Sequence, residues 1–225
     1  YPEPVFRPPS EARSLILQVT NGCSWNRCTF CEMYTQPQKK FSLKPQEKIA
    51  QELAAVAASG APVRRIFLAD GDAMALSFRR LHEIMEAIRH HLPGVQRVSS
   101  YCLPRNLRKK SIDELAALRE LGLELYYVGC ESGDDLVLER VQKGETFESS
   151  LAALQKIKEA GSKSSVMILN GMGGRRYSEQ HAVNSAKLMN AAQPEYLSTL
   201  VVSFPMGMEK YQEGFQGEFE PLDQP

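Results

Sequence analysis

Cys23, Cys28 and Cys31 lie within one short stretch, Asn21-Gly-Cys-Ser-Trp-Asn-Arg-Cys-Thr-Phe-Cys31. Thiolates separated by four and then two residues can converge on one soft-metal centre from a single loop. Their number is informative. A closed tetrahedral zinc site takes four protein ligands, and each of the four irons of a cubane cluster needs a ligand of its own. Unless a distant residue completes the set, one metal position stays open to a small molecule, and catalysis uses such a position.

The remaining cysteines, Cys102 and Cys130, each follow an apolar stretch containing tyrosine and have no partner at ligand spacing. They read as buried free thiols. A close trio within an odd total of five favours metal over disulfide in a reducing compartment, so a cytoplasmic protein is expected. The 27 basic residues balance the 27 acidic ones, leaving no net field to recruit nucleic acid or an anionic membrane. Hydrophobic residues make up 43% of the chain without any run long enough for a membrane helix. The first ten residues lack the basic and apolar regions of a secretory signal, and the absence of an initiator Met suggests trimming.

The elements that must position the cysteines follow from apolar periodicity. Strands are expected over 14–19, 63–69, 95–101, 124–129, 163–169 and 195–202. Helices are expected over 45–59, 78–91, 134–141, 147–160 and 178–191, with a further one opening at the capping box Ser111-Ile-Asp-Glu114. Six strand–helix steps in unbroken succession argue for an α/β fold with a parallel sheet wound in one direction. Six units are two short of a closed eight-unit barrel, so the expected architecture is an incomplete (β/α)6 open TIM-like barrel. A doubly wound sheet is the alternative. Residues 1–12 read as an N-terminal arm, 13–205 as the barrel domain and 206–225 as an irregular, possibly truncated tail.

Chemistry in such a fold gathers at the C-terminal ends of the strands. The first strand runs straight into the cysteine loop, and the second ends in Asp70-Gly71-Asp72. The third leads to Arg105, the fourth to Glu131-Ser132, and the fifth to Asn170-Gly171 followed by Arg175-Arg176. Taken singly, each has an ordinary explanation as a helix cap, a turn or a solvated charge. Their convergence on one rim beside the cysteines is what points to a site.

This arrangement, with Phe30 just before the last cysteine, resembles the radical S-adenosylmethionine superfamily over about residues 13 to 205. It looks closest to the branch of oxygen-independent coproporphyrinogen oxidase-like and methylthiotransferase-like proteins. The resemblance implies that Cys23, Cys28 and Cys31 hold a [4Fe-4S] cluster whose open iron is chelated by S-adenosylmethionine. It implies that Phe30 packs near the adenine and that Asp70, Gly71 and Asp72 stand where the family has a Gly-Gly-Glu run for the methionine amino group. Glu131 and Ser132 would contact the ribose or the amino acid part, and Ile168, Asn170 and Gly171 would read the adenine. An electron donor such as flavodoxin or ferredoxin would drive reductive cleavage to a 5′-deoxyadenosyl radical that abstracts hydrogen from a substrate.

The chain departs from the family at two points. Four residues rather than three separate the first two cysteines, and two aspartates flank Gly71, leaving open which acid reaches the amino group. Tyr34, Arg105, Arg175 and Arg176 are the substrate candidates, the arginines for a carboxylate or phosphate. Trp25 is expected to shield the cluster, and His90-His91 to be a solvated helix end. Two further readings remain: a zinc-binding structural module completed by a distant ligand, and a simple iron–sulfur electron-transfer protein.

Overall fold

Six runs of four to nine residues become the strands of the main sheet, and helices connect one to the next. A computed structural model describes residues 1, 3–205 and 207–222. Strands β1 (Leu15–Gln18), β2 (Thr20–Asn21), β3 (Ser42–Leu43), β4 (Arg65–Ala69), β5 (Arg97–Cys102), β6 (Leu123–Glu131), β7 (Lys163–Asn170) and β8 (Tyr196–Val201) follow in chain order. Helices α1 (Gln46–Ala58), α2 (Phe78–His91), α3 (Ile112–Glu120), α4 (Asp135–Arg140), α5 (Phe147–Glu159), α6 (Gly174–Ala192) and α7 (Glu209–Gly214) alternate with them.

Among the described residues, six strands form one all-parallel sheet in the order β1-β4-β5-β6-β7-β8. Each new strand adds to the same edge. A doubly wound sheet would instead reverse direction partway, so the winding is that of an incomplete barrel, as expected. Side chains alternate across it. Leu17, Ile66, Leu68, Val98, Tyr126, Val128 and Val166 join Ile49, Leu53, Leu81, Ile84, Leu115, Leu154 and Leu188 of the helices in one buried core. The opposite parity carries Phe67, Tyr101 and Tyr127, whose rings meet edge-on at centroid distances of 5.0 to 6.4 Å. β8, at the edge, is exposed along its whole length.

The sequence signals for helix starts are realised locally. Ser111 Oγ accepts the Glu114 N–H at 3.0 Å while the Glu114 carboxylate accepts the Ser111 N–H at 2.8 Å. Asp134 caps α4 in the same way, accepting the Val137 N–H at 2.9 Å.

Two expectations are corrected, and one element is new. The stretch 206–225 is not irregular throughout: α7 forms there, and Tyr211, Phe215 and Phe219 bury against Val137, Val141 and Met172. Residues 223–225 and 206 lie outside the described residues. α6 begins at Gly174 rather than 178, so Arg175 and Arg176 stand in its first turn instead of on a loop. The antiparallel β2–β3 ladder, Thr20 opposite Leu43 and Asn21 opposite Ser42, was not foreseen. Two-residue strands leave no periodicity to read, yet this ladder closes the base of the cysteine loop.

Candidate functional site

The cysteine loop spans the interval between β2 and β3 and is fastened at its root. Asn21 donates through Nδ2 to the carbonyls of Gln38 at 2.7 Å and Lys40 at 3.0 Å. Gly22 sits at φ +66°, where a Cβ would run into the Lys39 carbonyl; only glycine adopts that conformation without strain. Beyond it, the loop is sewn to the connection after α4. The Thr29 N–H donates to the Val141 carbonyl at 3.0 Å, and the Trp25 indole N–H to the Gln142 carbonyl at 2.8 Å.

Cys23, Cys28 and Cys31 are all half-buried free thiols. Burial pushes the Cys28 thiol up to about 11, offset in part by Lys143 and reinforced by Cys31 and Cys23. Burial likewise raises Cys23 and Cys31. The three thiols therefore feel one another's charge. Among the described residues, no three His, Cys, Asp or Glu side chains converge as they would on a single ion. A cubane, by contrast, puts each thiolate on a different iron, which suits thiols that stand apart on one loop. Cys102 and Cys130 belong to the helix-facing core, as read from the sequence.

The exit of β4 lies beside this loop. The Asp70 carboxylate pairs with Lys39, and neither side chain is exposed. Asp72 accepts from the backbone N–H of Ser24 at 3.3 Å and also from its hydroxyl. Burial raises the Asp72 carboxyl, offset by these Ser24 bonds. One carboxylate oxygen of each aspartate, Oδ1, is buried without a hydrogen-bond partner. A buried unpaired carboxylate oxygen is costly, and a cationic or N–H-bearing ligand would relieve it. Gly71, between them, leaves no room for a Cβ against the Gly22 carbonyl and the Tyr34 ring.

β6 ends in a bulge between Gly129 and Glu131, and Glu131 adopts φ +65°, a strained conformation for a side-chain-bearing residue. Its Oε1 accepts from Lys143 Nζ at 3.1 Å, with both residues buried. Ser132 is fully buried, and its hydroxyl lies 2.8 Å from Nδ1 of His181 on α6. Its side chain serves the packing of β6 against α6. Ile168 is likewise in the core, whereas Asn170 is exposed and Gly171 turns the chain at φ +82°. Phe30 packs against the aromatic cluster of the C-terminal segment, with Lys143 Nζ 5.7 Å from its ring centroid.

Most substrate candidates are engaged elsewhere. Arg105 donates through Nε to Glu145 at 2.8 Å and lies over the Trp25 ring at 3.6 Å. Trp25 thus docks the loop onto the Gly144 turn rather than standing as a free shield. Arg176 pairs with Glu218, and the Arg175 N–H donates to the Glu220 carbonyl at 2.8 Å. Tyr34 alone points inward: it is buried, its hydroxyl has no partner, and Phe6 meets its ring edge at 5.7 Å. Lys39, Lys143, Ser24 and His181 were missed in the sequence. Ser24 sits beside Cys23 without any signal of its own, while Lys39, Lys143 and His181 reach their partners only through the fold.

The family model described as Radical SAM superfamily matches residues 17–189. A putative methylthiotransferase of Methanocaldococcus jannaschii is 26% identical over 158 residues, 67% of this chain and 33% of that protein. The heme chaperone HemW of Bacillus subtilis is 21% identical over 77% of this chain and 47% of its own length. The chain thus spans a third to a half of these relatives. Among solved structures, coproporphyrinogen III oxidase (HemN) from Escherichia coli superposes with a TM-score of 0.68 at 18% identity, covering 89% of this chain and 46% of that one. The methyltransferase TsrM from Kitasatospora setae, solved with cobalamin and a [4Fe-4S] cluster, gives 0.66 at 21% identity over 84% and 36%.

Proposed function

Because the chain belongs to the radical SAM superfamily, we propose that it cleaves S-adenosylmethionine reductively at a [4Fe-4S] cluster held by Cys23, Cys28 and Cys31. The cofactors of this superfamily are such a cluster and S-adenosylmethionine. Bound together, they supply a 5′-deoxyadenosyl radical that abstracts hydrogen from a substrate.

The observation that carries the reading is the neighbourhood of the loop: three thiols on one segment, flanked by the partnerless carboxylate oxygens of Asp70 and Asp72. Asp72 is proposed to hold the amino group of the cosubstrate. Asp70 is left the structural task of anchoring Lys39, with which it is fully buried. Phe30 would cover the adenine, Glu131 would border the ribose, and the backbone around Asn170 and Gly171 would pass beside the base. Tyr34 is the remaining substrate candidate, because its buried hydroxyl lacks a partner. The paired Arg105 and Arg176 are withdrawn from that role.

Anaerobic reconstitution with iron and sulfide, then turnover with S-adenosylmethionine and dithionite in place of a flavodoxin- or ferredoxin-like donor, tests the proposal. Wild type is expected to release 5′-deoxyadenosine and C28A none. A wild-type protein with a full cluster and no nucleoside product would overturn it and turn attention to a non-catalytic role, such as the one in the name of the B. subtilis relative.

A further inference from the structure

The end of the sheet away from the cysteine loop gathers positive charge that the fold leaves unmatched. Arg65 opens β4, Arg97 opens β5, and the two are register partners. Strand alternation puts both on the face that carries Phe67 and Tyr101, whose rings meet. Like charges side by side on adjacent strands repel. One carboxylate answers them. Glu11 is fully buried, pairs with Arg97 at 2.7 Å, and accepts the Tyr127 hydroxyl at 2.7 Å and that of Ser14 as well. Its oxygens are thereby taken, while Arg97 Nε stays buried without a hydrogen-bond partner.

Arg13, Arg64 and Arg65 line one recess of about 290 Å³ between residues 12–15 and 62–65. Arg7 reaches its edge, donating to the carbonyl of Ser14 at 3.3 Å. Five arginines therefore gather here, and among the described residues only Arg97 has an acidic partner. The chain carries 27 basic and 27 acidic residues, so this excess is local rather than compositional. A second recess, of about 410 Å³, shares Pro62, Val63 and Arg64 with the first.

We propose that this end of the sheet binds a small molecule through an oxyanion, a phosphate or a carboxylate, gripped by Arg13, Arg64 and Arg65. Guanidinium forks match the oxygens of either group two at a time. The anion supplies the negative charge that Glu11 alone does not. The first recess is at the small end of the range for ligand pockets, which suits a headgroup, and the second leaves room for the rest of the molecule. The site is separate from the thiols. The four residue steps of β4 from Arg65 to Ala69 span ~13 Å, and Asp70, beside the cysteine loop, lies beyond them. The inference is therefore independent of the cluster reading.

Isothermal titration of the full chain with inorganic phosphate and, separately, succinate tests it, at an ionic strength held constant with sodium chloride. Wild type is compared with R65M, R13M/R64M and R79M, the last lacking an exposed arginine near the start of α2. Saturable one-to-one binding of at least one anion is expected. R65M should weaken it on the order of tenfold, R13M/R64M further, and R79M not at all. Binding of phosphate alone assigns a phosphorylated ligand, and binding of succinate alone a carboxylate. No saturable binding of either anion overturns the proposal, as do wild-type affinities in both recess variants. So does an equal loss in R79M, which would mean general attraction by positive charge.

Thermal unfolding without added anion gives a second reading. R65M should unfold no lower than wild type, because removing Arg65 relieves its repulsion with Arg97. A lower midpoint would show that the fold itself uses the Arg65 charge, and would also overturn the proposal.

Discussion

The guanidinium of Arg105 lies 3.6 Å from the ring centroid of Trp25, and the same guanidinium donates through Nε to Glu145 at 2.8 Å. A residue of the cysteine loop is thereby fixed to the exit of β5 and to the N-terminal approach of α5. Arg27 approaches the same ring at 5.0 Å. The extra residue between Cys23 and Cys28 falls in this region, so the longer loop is braced rather than loose.

The brace depends on Gly144. A Cβ there would collide with the Trp25 ring and the Arg105 guanidinium, at a φ of +70°. G144A should therefore lose about 1–3 kcal/mol of stability through backbone strain and displaced packing. Urea unfolding of the cluster-free protein measures this, and a wild-type midpoint in G144A would refute it.

Lys39 and Asp70 are both fully buried. Removing one partner strands a charge in the interior, so K39M should cost about 3–5 kcal/mol. K39M/D70N should recover part of that loss, since no charge is left unpaired. Additive losses in the double variant would show that the two residues do not act as a pair.

The buried His181 hydrogen-bonds to Ser132, and burial lowers its pKa despite the opposing Leu169 carbonyl and Asp134. Its proton is then bound more readily by the unfolded chain. Stability from this site is complete above the ordinary histidine pKa of about 6.5 and declines as pH falls below it. Unfolding midpoints should therefore drop as pH falls below about 6.5, less steeply in H181Q than in wild type. Parallel pH curves would rule His181 out as the cause.

If Asp72 receives the amino group of S-adenosylmethionine, D72N weakens that charge-assisted bond. Affinity for the cosubstrate should fall on the order of 10–100-fold, as expected for a hydrogen bond to a charged group. Isothermal titration of reconstituted D72N against wild type reads it directly. Undiminished binding would move the role to another group on the rim.

The sequence alone determined the alternation of strands and helices, the single winding direction and the close spacing of three cysteines on one loop. These are local quantities: apolar period, capping residues and thiol spacing each act within a few positions of the chain. α2 runs over 78–91 in both readings, and Ser111 opens α3 as its capping box requires.

Which polar groups remain available for chemistry was decided only by tertiary structure. Arg105 read as a free rim cation until the fold set Trp25 and Glu145 against it. Lys143 carried no signal in the sequence, and two backbone turns bury it opposite Glu131. Charge pairing and desolvation depend on distances between residues far apart in the chain, and those distances exist only once the sheet has closed around the loop.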